Sequence, residues 1–337
     1  MTVAFSAINS KATACGLALF FLVSVLAGCA TSPDWPEPEG GTAADNRPEH
    51  LVLEEVPFFP QERYQCGPAS LAMMLNSQGL ETNPEILKEL VYIPGREGAL
   101  QVEMVAAARA HGMLVYPLDG TLKSLLEEIA AGHPVLVMQN LRFGWWPQWH
   151  FAVVIGYDVG ERDLILHTDT RKRQSVDLEV FSNTWGRADN WAVTILPPDK
   201  VPATARPLRF LKSAHDLETT GRTTAAGVAY KTAEAAWPDQ PAAIMARGNL
   251  AWQMGRQSEA TRHFLRTVKR FPEFAEGWNN LAFALQAGAC PSAATRAATC
   301  AATLAPDRFG DSELLNNGDH TTAEGCPVLP QCPRQTR

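Results

Sequence analysis

Residues 58–75 read FFPQERYQCGPASLAMML, and the rest of the chain is best read outward from them. Leu71, Met74 and Leu75 recur at helical spacing, and Pro68 suits a first helical turn, where its missing N–H costs nothing. The spacing therefore starts a helix at Cys66. Unpaired N–H groups and the positive end of the helix dipole are expected to favour a thiolate there, the form of sulfur that attacks a carbonyl. The plainer alternative is a buried structural cysteine. The Cys-Gly-Pro turn at a helix start favours the nucleophile.

A nucleophilic cysteine needs a base, and the chain holds 8 His. His150 begins an apolar strand ending in Gly156-Tyr157-Asp158, and a second strand runs from Asp163 to Asp169. The short turn between them, Val159-Gly160-Glu161-Arg162, predicts a hairpin. If Tyr157 pairs with Leu164, Ala152 lies opposite Asp169. His150 is then diagonal to Asp169 on one face, roughly 7–8 Å away. Asp158 lies about 26 Å along the strand at ~3.3 Å per residue, too far to orient the imidazole, and Asp163 fails similarly. Asp169 is thus expected to hold His150 in its working tautomer, although a slip of one residue would turn the carboxylate away. Among other histidines, His167 is the rival base on the same face. His111 ends a helix and is expected to meet its dipole, while His133 falls in a turn.

The pattern Gln61…Cys66-Gly67-Pro68-Ala69-Ser70…His150-Phe151…Gly156-Tyr157…Asp169 resembles the bacteriocin-processing cysteine peptidases, whose classical cleavage follows a double glycine. The resemblance implies an α+β papain-like fold over residues 51–197, with Cys66 as nucleophile, His150 as base and Asp169 as orienting residue. It also implies Gln61 as an oxyanion donor beside the Cys66 N–H, with Gln65 the lesser candidate. Two features depart from the family. Thr170 follows Asp169 where Pro is frequent, and no transporter segments follow, so double-glycine cleavage is not implied. Helices at Glu85–Val91, Leu100–His111 and from Thr121 to Ala131, with strands at Met113–Tyr116 and Pro134–Gln139, suit such a domain. The run Phe143-Gly144-Trp145-Trp146-Pro147-Gln148-Trp149 before the base reads equally as a cleft lining or a packed loop. Asn183-Thr184-Trp185 resembles papain's Asn-Trp, but Asp169 serves the third role better.

The N-terminus looks like a targeting signal. Lys11 is the sole charge before Asp34, and the apolar run Ala14–Ala27 ends in Leu26-Ala27-Gly28-Cys29. This resembles a bacterial lipobox, with residues 1–28 removed and Cys29 lipidated. Ala30 in place of Asp points to the outer membrane, facing the periplasm. Residues 29–50, rich in Pro, Gly and acid, read as a tether.

After the Pro-rich stretch 197–207, Pro238, Pro272 and Pro306 recur at one interval. Ala226, Ala260 and Ala294 share a second register, and Tyr230 and Phe264 a third. The period resembles tetratricopeptide repeats, giving an all-α region of three helical hairpins, 207–240, 241–274 and 275–308. The tail 309–337 shows no periodicity. Cys290, Cys300, Cys326 and Cys332 suit two disulfides, with three connectivities open and zinc disfavoured by spacing. The net charge of -7, without a basic run, argues against nucleic acid. The expected partners are a peptide or protein substrate, a protein bound by the repeats, and the membrane through lipid; no cofactor and no metal is expected. Two functions fit: a lipid-anchored cysteine peptidase, or a catalytically silent peptide-binding scaffold.

Overall fold

The computed structural model describes residues 33–36, 48–61, 65–96, 98–315 and 325–333. The proposed signal, Cys29 and most of the tether lie outside them. Among the described residues no helix is long and apolar enough to cross a membrane.

Strand β1 (His50–Val52) leads to helix α1 (Cys66–Asn76), then α2 (Pro84–Val91) and α3 (Gln101–Ala110). Asn83 caps α2 by accepting the Ile86 N–H at 3.0 Å, and Pro84 follows at the first helical position. Strand β2 (Leu114–Pro117) precedes α4 (Leu122–Ala130), which Thr121 caps through the Ser124 N–H at 3.2 Å. Strands β3 (Val135–Asn140), β4 (Trp149–Asp158), β5 (Asp163–Thr168) and β6 (Arg171–Asp177) form an antiparallel meander. Helix α5 (Leu178–Gly186) then returns the chain to β7 (Ala192–Leu196), which inserts between β2 and β3. The sheet order is β2-β7-β3-β4-β5-β6, and β1 pairs with the far end of β4, in line with β3.

The residues of β3 and β4 alternate between two buried layers. Phe151, Val153 and Ile155 face α1, whose Ala69, Leu71, Ala72, Met73, Met74 and Leu75 are all fully buried. Helix α1 is therefore a core helix with apolar residues all round, and the first catalytic candidate sits at its buried end.

Among the described residues six longer helices follow in three pairs, α6 (Pro207–Thr219) with α7 (Thr223–Ala236), α8 (Pro241–Gln253) with α9 (Gln257–Arg270), and α10 (Ala275–Ala287) with α11 (Pro291–Leu304), and then a single helical turn at Pro306–Phe309. A Cβ on Gly248 would meet the Phe264 ring at 2.4 Å, so glycine lets α8 and α9 approach across that ring. The first pair packs onto the sheet edge, where Leu114 and Tyr116 of β2 share a core with Phe210, Ala214 and Leu217. Polar clamps reinforce the junction. Arg109 reaches Asp216 at 2.5 Å, and the Tyr116 hydroxyl donates to the Thr204 carbonyl at 3.1 Å and accepts the Arg206 N–H at 3.0 Å. The buried Glu128 carboxylate accepts from the Thr204 N–H at 2.8 Å, the Thr204 hydroxyl at 2.6 Å and the Ala203 N–H at 3.1 Å. Burial pushes its pKa up, but these bonds and the nearby His133 hold that pKa below the ordinary carboxylate value.

Of the three disulfide connectivities, the structure has Cys290–Cys326 and Cys300–Cys332. The helix rise from Cys290 to Cys300 is about 15 Å, a span that extended residues 326–332 can match, so the tail is strapped along α11. Loop-closure entropy gives each bond about 3–4 kcal/mol. Reduction is therefore expected to lower the melting temperature of the helical region and to open residues 325–333 to protease. Unchanged melting under reductant, with thiol counting to prove reduction, would contradict this.

Candidate active site

Cys66 occupies the first position of α1 and is partly buried. The glycine after it is a steric requirement. A Cβ on Gly67 would lie 2.5 Å from the Ala99 Cβ and 3.2 Å from the Met104 sulfur, so only glycine lets this turn press against α3 and Phe151. Burial pushes the Cys66 thiol above its ordinary 9.0, while backbone hydrogen bonds from Phe151, Gly67 and Cys66 itself pull it down by less. This corrects the sequence expectation. The helix start does supply N–H groups, but desolvation outweighs them and the resting sulfur is a neutral thiol.

The packing of α1 also points to the partner. Its Cys66-Gly67 turn and Ser70 lie against Phe151, which immediately follows His150 in β4. His150 pairs across the sheet with Gln139, whose amide donates to the Thr184 hydroxyl at 2.6 Å. Burial lowers the His150 pKa below its ordinary 6.5, and the Asp169 carboxylate acts in the opposite direction. Thiol and imidazole are thus both neutral near pH 7.

The hairpin forms as expected at its turn, with Tyr157 opposite Leu164, but not at its open end. Ile155 is an extra residue in β4: Gly156 pairs with Ile165, yet Val154 already pairs with Leu166 and Val153 with His167. This bulge slips the register by one, so Asp169 does not face Ala152, and Thr168 takes the place on the His150 side. The His150 Nε2 lies 2.7 Å from the Thr168 hydroxyl oxygen. Asp169 sits in the following turn with φ of 52°, in electrostatic reach of the imidazole, and its carbonyl accepts the Gln61 N–H at 2.9 Å. Sequence reasoning missed Thr168. The available signal was Gly156, since a glycine inside a strand often marks a bulge or a close backbone approach. Both occur here, because a Cβ on Gly156 would lie 2.2 Å from the Leu51 carbonyl oxygen.

Gln61 is buried, and its Nε2 donates to the Ser70 hydroxyl at 3.2 Å and the Phe151 carbonyl at 3.3 Å. Ser70 donates to the same carbonyl at 3.2 Å. The Gln61 amide therefore joins α1 to β4 beside the sulfur, and its nitrogen is engaged inside the protein rather than open to a ligand. Gln61 Oε1 has no partner among the described residues. The rival base His167 is spent on backbone, with Nε2 at 3.2 Å from the Val56 carbonyl and Nδ1 accepting the Arg173 N–H at 3.1 Å. His111 meets the Ala107 carbonyl of α3 at 2.8 Å, as its place at the helix end suggested.

A cleft of about 510 Å³ opens beside the imidazole, lined by His150, Thr168 and Asp169 at the meander and by Val180 and Thr184 of α5, with Leu141 and Gln148 from the β3–β4 connection. The aromatic run in that connection is not a packed loop. Trp145 is 79% exposed, and Phe143, Trp146 and Trp149 are exposed as well.

Residues 53–193 match the Peptidase_C39 like family. Among solved structures, a putative C39-like peptidase from Bacillus anthracis aligns at 18% identity over 45% of this chain and 98% of its own, with a TM-score of 0.37. The peptidase domain of Streptococcus ComA, a bi-functional ABC transporter involved in quorum sensing, aligns at 22% identity over 42% and 98%, with a TM-score of 0.35. A double glycine motif protease from an AMS/PCAT transporter, solved with its leader peptide, aligns at 19% identity over 42% and 89%, with a TM-score of 0.30. No curated protein matches. The chain thus carries a C39-like peptidase domain of α+β, papain-like architecture, followed by a helical C-terminal region.

Proposed function

We propose that the C39-like domain hydrolyses peptide bonds, with Cys66 as nucleophile and His150 as general base. The observation that carries this reading is the packing of the α1 start on Phe151: a Cβ on Gly67 would lie 3.8 Å from the Phe151 ring, and Ser70 donates to the Phe151 carbonyl at 3.2 Å, which brings the Cys66 turn to the residue next to His150. With Nε2 engaged by Thr168, Nδ1 is the ring nitrogen left to take the thiol proton. Sulfur attacks the carbonyl as the proton moves. The imidazolium, stabilised by the Asp169 charge, then returns the proton to the leaving amine, and water hydrolyses the thioester. The Cys66 N–H donates to the oxyanion. Gln61 joins it by exchanging its bond to the Phe151 carbonyl for one to the substrate oxygen.

The wider assignment is a lipid-anchored enzyme. Export with acylation at Cys29, on the outer membrane facing the periplasm, accords with two disulfides, which persist in oxidising compartments. Helix pairs starting at Pro207, Pro241 and Ala275, and the Gly248–Phe264 contact, support the tetratricopeptide reading and a protein partner for the array.

The test is a pH profile of kcat/KM for peptide hydrolysis by the mature chain. The lowered His150 pKa keeps the base neutral further into acid, so the acid limb is expected below pH 6.5. The raised Cys66 pKa puts the alkaline limb above pH 9.0. Alkylation of the free enzyme by iodoacetamide should be slow at pH 6 and rise with alkali. Absence of hydrolysis of any peptide between these limbs would leave a silent scaffold as the better account.

A further inference from the structure

The β3–β4 hairpin presents four large aromatic rings to solvent immediately before the base: Phe143, Trp145, Trp146 and Trp149. Single exposed apolar residues are ordinary, but a contiguous aromatic patch marks a binding surface. The loop is held rigid. The Asn140 side chain accepts the N–H groups of Arg142 at 3.1 Å and Gln148 at 2.9 Å, and the Arg142 guanidinium donates to the Gln148 amide oxygen at 2.8 Å. The same guanidinium lies 5.8 Å over the Trp146 ring, while Phe143 and Trp145 stack at 5.7 Å. Rings fixed before a partner arrives lose little entropy on binding it.

The hairpin also adjoins the site. Trp149 directly precedes His150 at the start of β4, and Leu141 and Gln148 line the cleft beside His150. We propose that this hairpin is the specificity surface for a peptide carrying large apolar side chains next to the scissile bond. The proposal rests on the peptidase reading for the position of that bond. The hairpin that carries the rings also lines the cleft, through Leu141 and Gln148, which favours a peptide over a lipid surface. Arg142, the only cation between residues 141 and 149, is already engaged by Trp146 and Gln148 and is not free for anionic headgroups.

The experiment uses the mature chain carrying Cys66→Ala, which binds without turnover. Two labelled ten-residue peptides of equal charge are compared, one with Leu and Phe at its centre, the other with Ser and Asn. The apolar peptide is expected to bind roughly tenfold or more tightly, and Trp145→Ser with Trp146→Ser to abolish that preference. Both positions are exposed, and circular dichroism checks the fold. Equal binding of the two peptides overturns the proposal, as does a preference that survives the double substitution. So does a double variant that loses only its sedimentation with phosphatidylcholine vesicles. Because binding is read on an inactive chain, failure of the peptidase reading shows separately: the wild-type chain would bind the apolar peptide and leave it uncut.

Discussion

His150→Ala is expected to cut peptide hydrolysis by about 10³-fold or more, Cys66→Ala by at least as much, and the double variant no further, because residues acting as one unit are not additive. The two residues near the imidazole should separate in kind. Thr168→Val removes the partner of Nε2 and is expected to lower kcat roughly tenfold or more through misplacement of the ring, leaving the acid limb in place. Asp169→Asn removes the charge that raises the His150 pKa, so its acid limb should move to still lower pH. Steady-state kinetics of the five variants from pH 4 to 10 provide the check. Full activity in Thr168→Val, with collapse in Asp169→Asn, would restore the arrangement first expected from the sequence.

Much of this site was legible in the chain. The Cys66 helix follows from the spacing of Leu71, Met74 and Leu75, and the His150 strand from an unbroken apolar run; both form where expected. Caps at Asn83 and Thr121 are local chemistry and were readable. The misreadings arose where the outcome depends on tertiary context. Whether a helix start makes a sulfur anionic depends on how deeply the sulfur is buried, and Ala99, Met104 and Phe151 close around that turn from far along the chain. Strand β6 escaped notice because its sequence, Arg171 to Asp177, is polar and largely exposed, and it is held by pairing to β5 rather than by an apolar face. Strand β7 was not among the strands read from the sequence, and nothing local says that it inserts between β2 and β3.

Residues 48–200 expressed without the helices are expected to melt far below the full chain. Strand β2 ends the sheet, and its Leu114 and Tyr116 are buried against α6. Exposing them costs about 1.5–3 kcal/mol each, and removing Ala203 and Thr204 strips hydrogen bonds from the fully buried Glu128 at a further roughly 1–3 kcal/mol. Such a loss is a large share of the ~5–15 kcal/mol that holds a domain. The helical region is therefore also a wall of the sheet that carries His150. Thermal melts of the two forms decide the matter. A fragment melting within about 3 °C of the parent would mean that the shared core contributes little.

The Ile155 bulge reaches beyond its own strand. It acts as a one-notch offset between the two rails of a hairpin, and it alone decides whether a hydroxyl or a carboxylate is presented to the ring. Chains of this architecture could therefore trade one helper group for the other by gaining or losing that notch, with every residue around the imidazole unchanged in identity. Two such chains would look alike in an alignment of their motifs and differ in the acidity of their histidine.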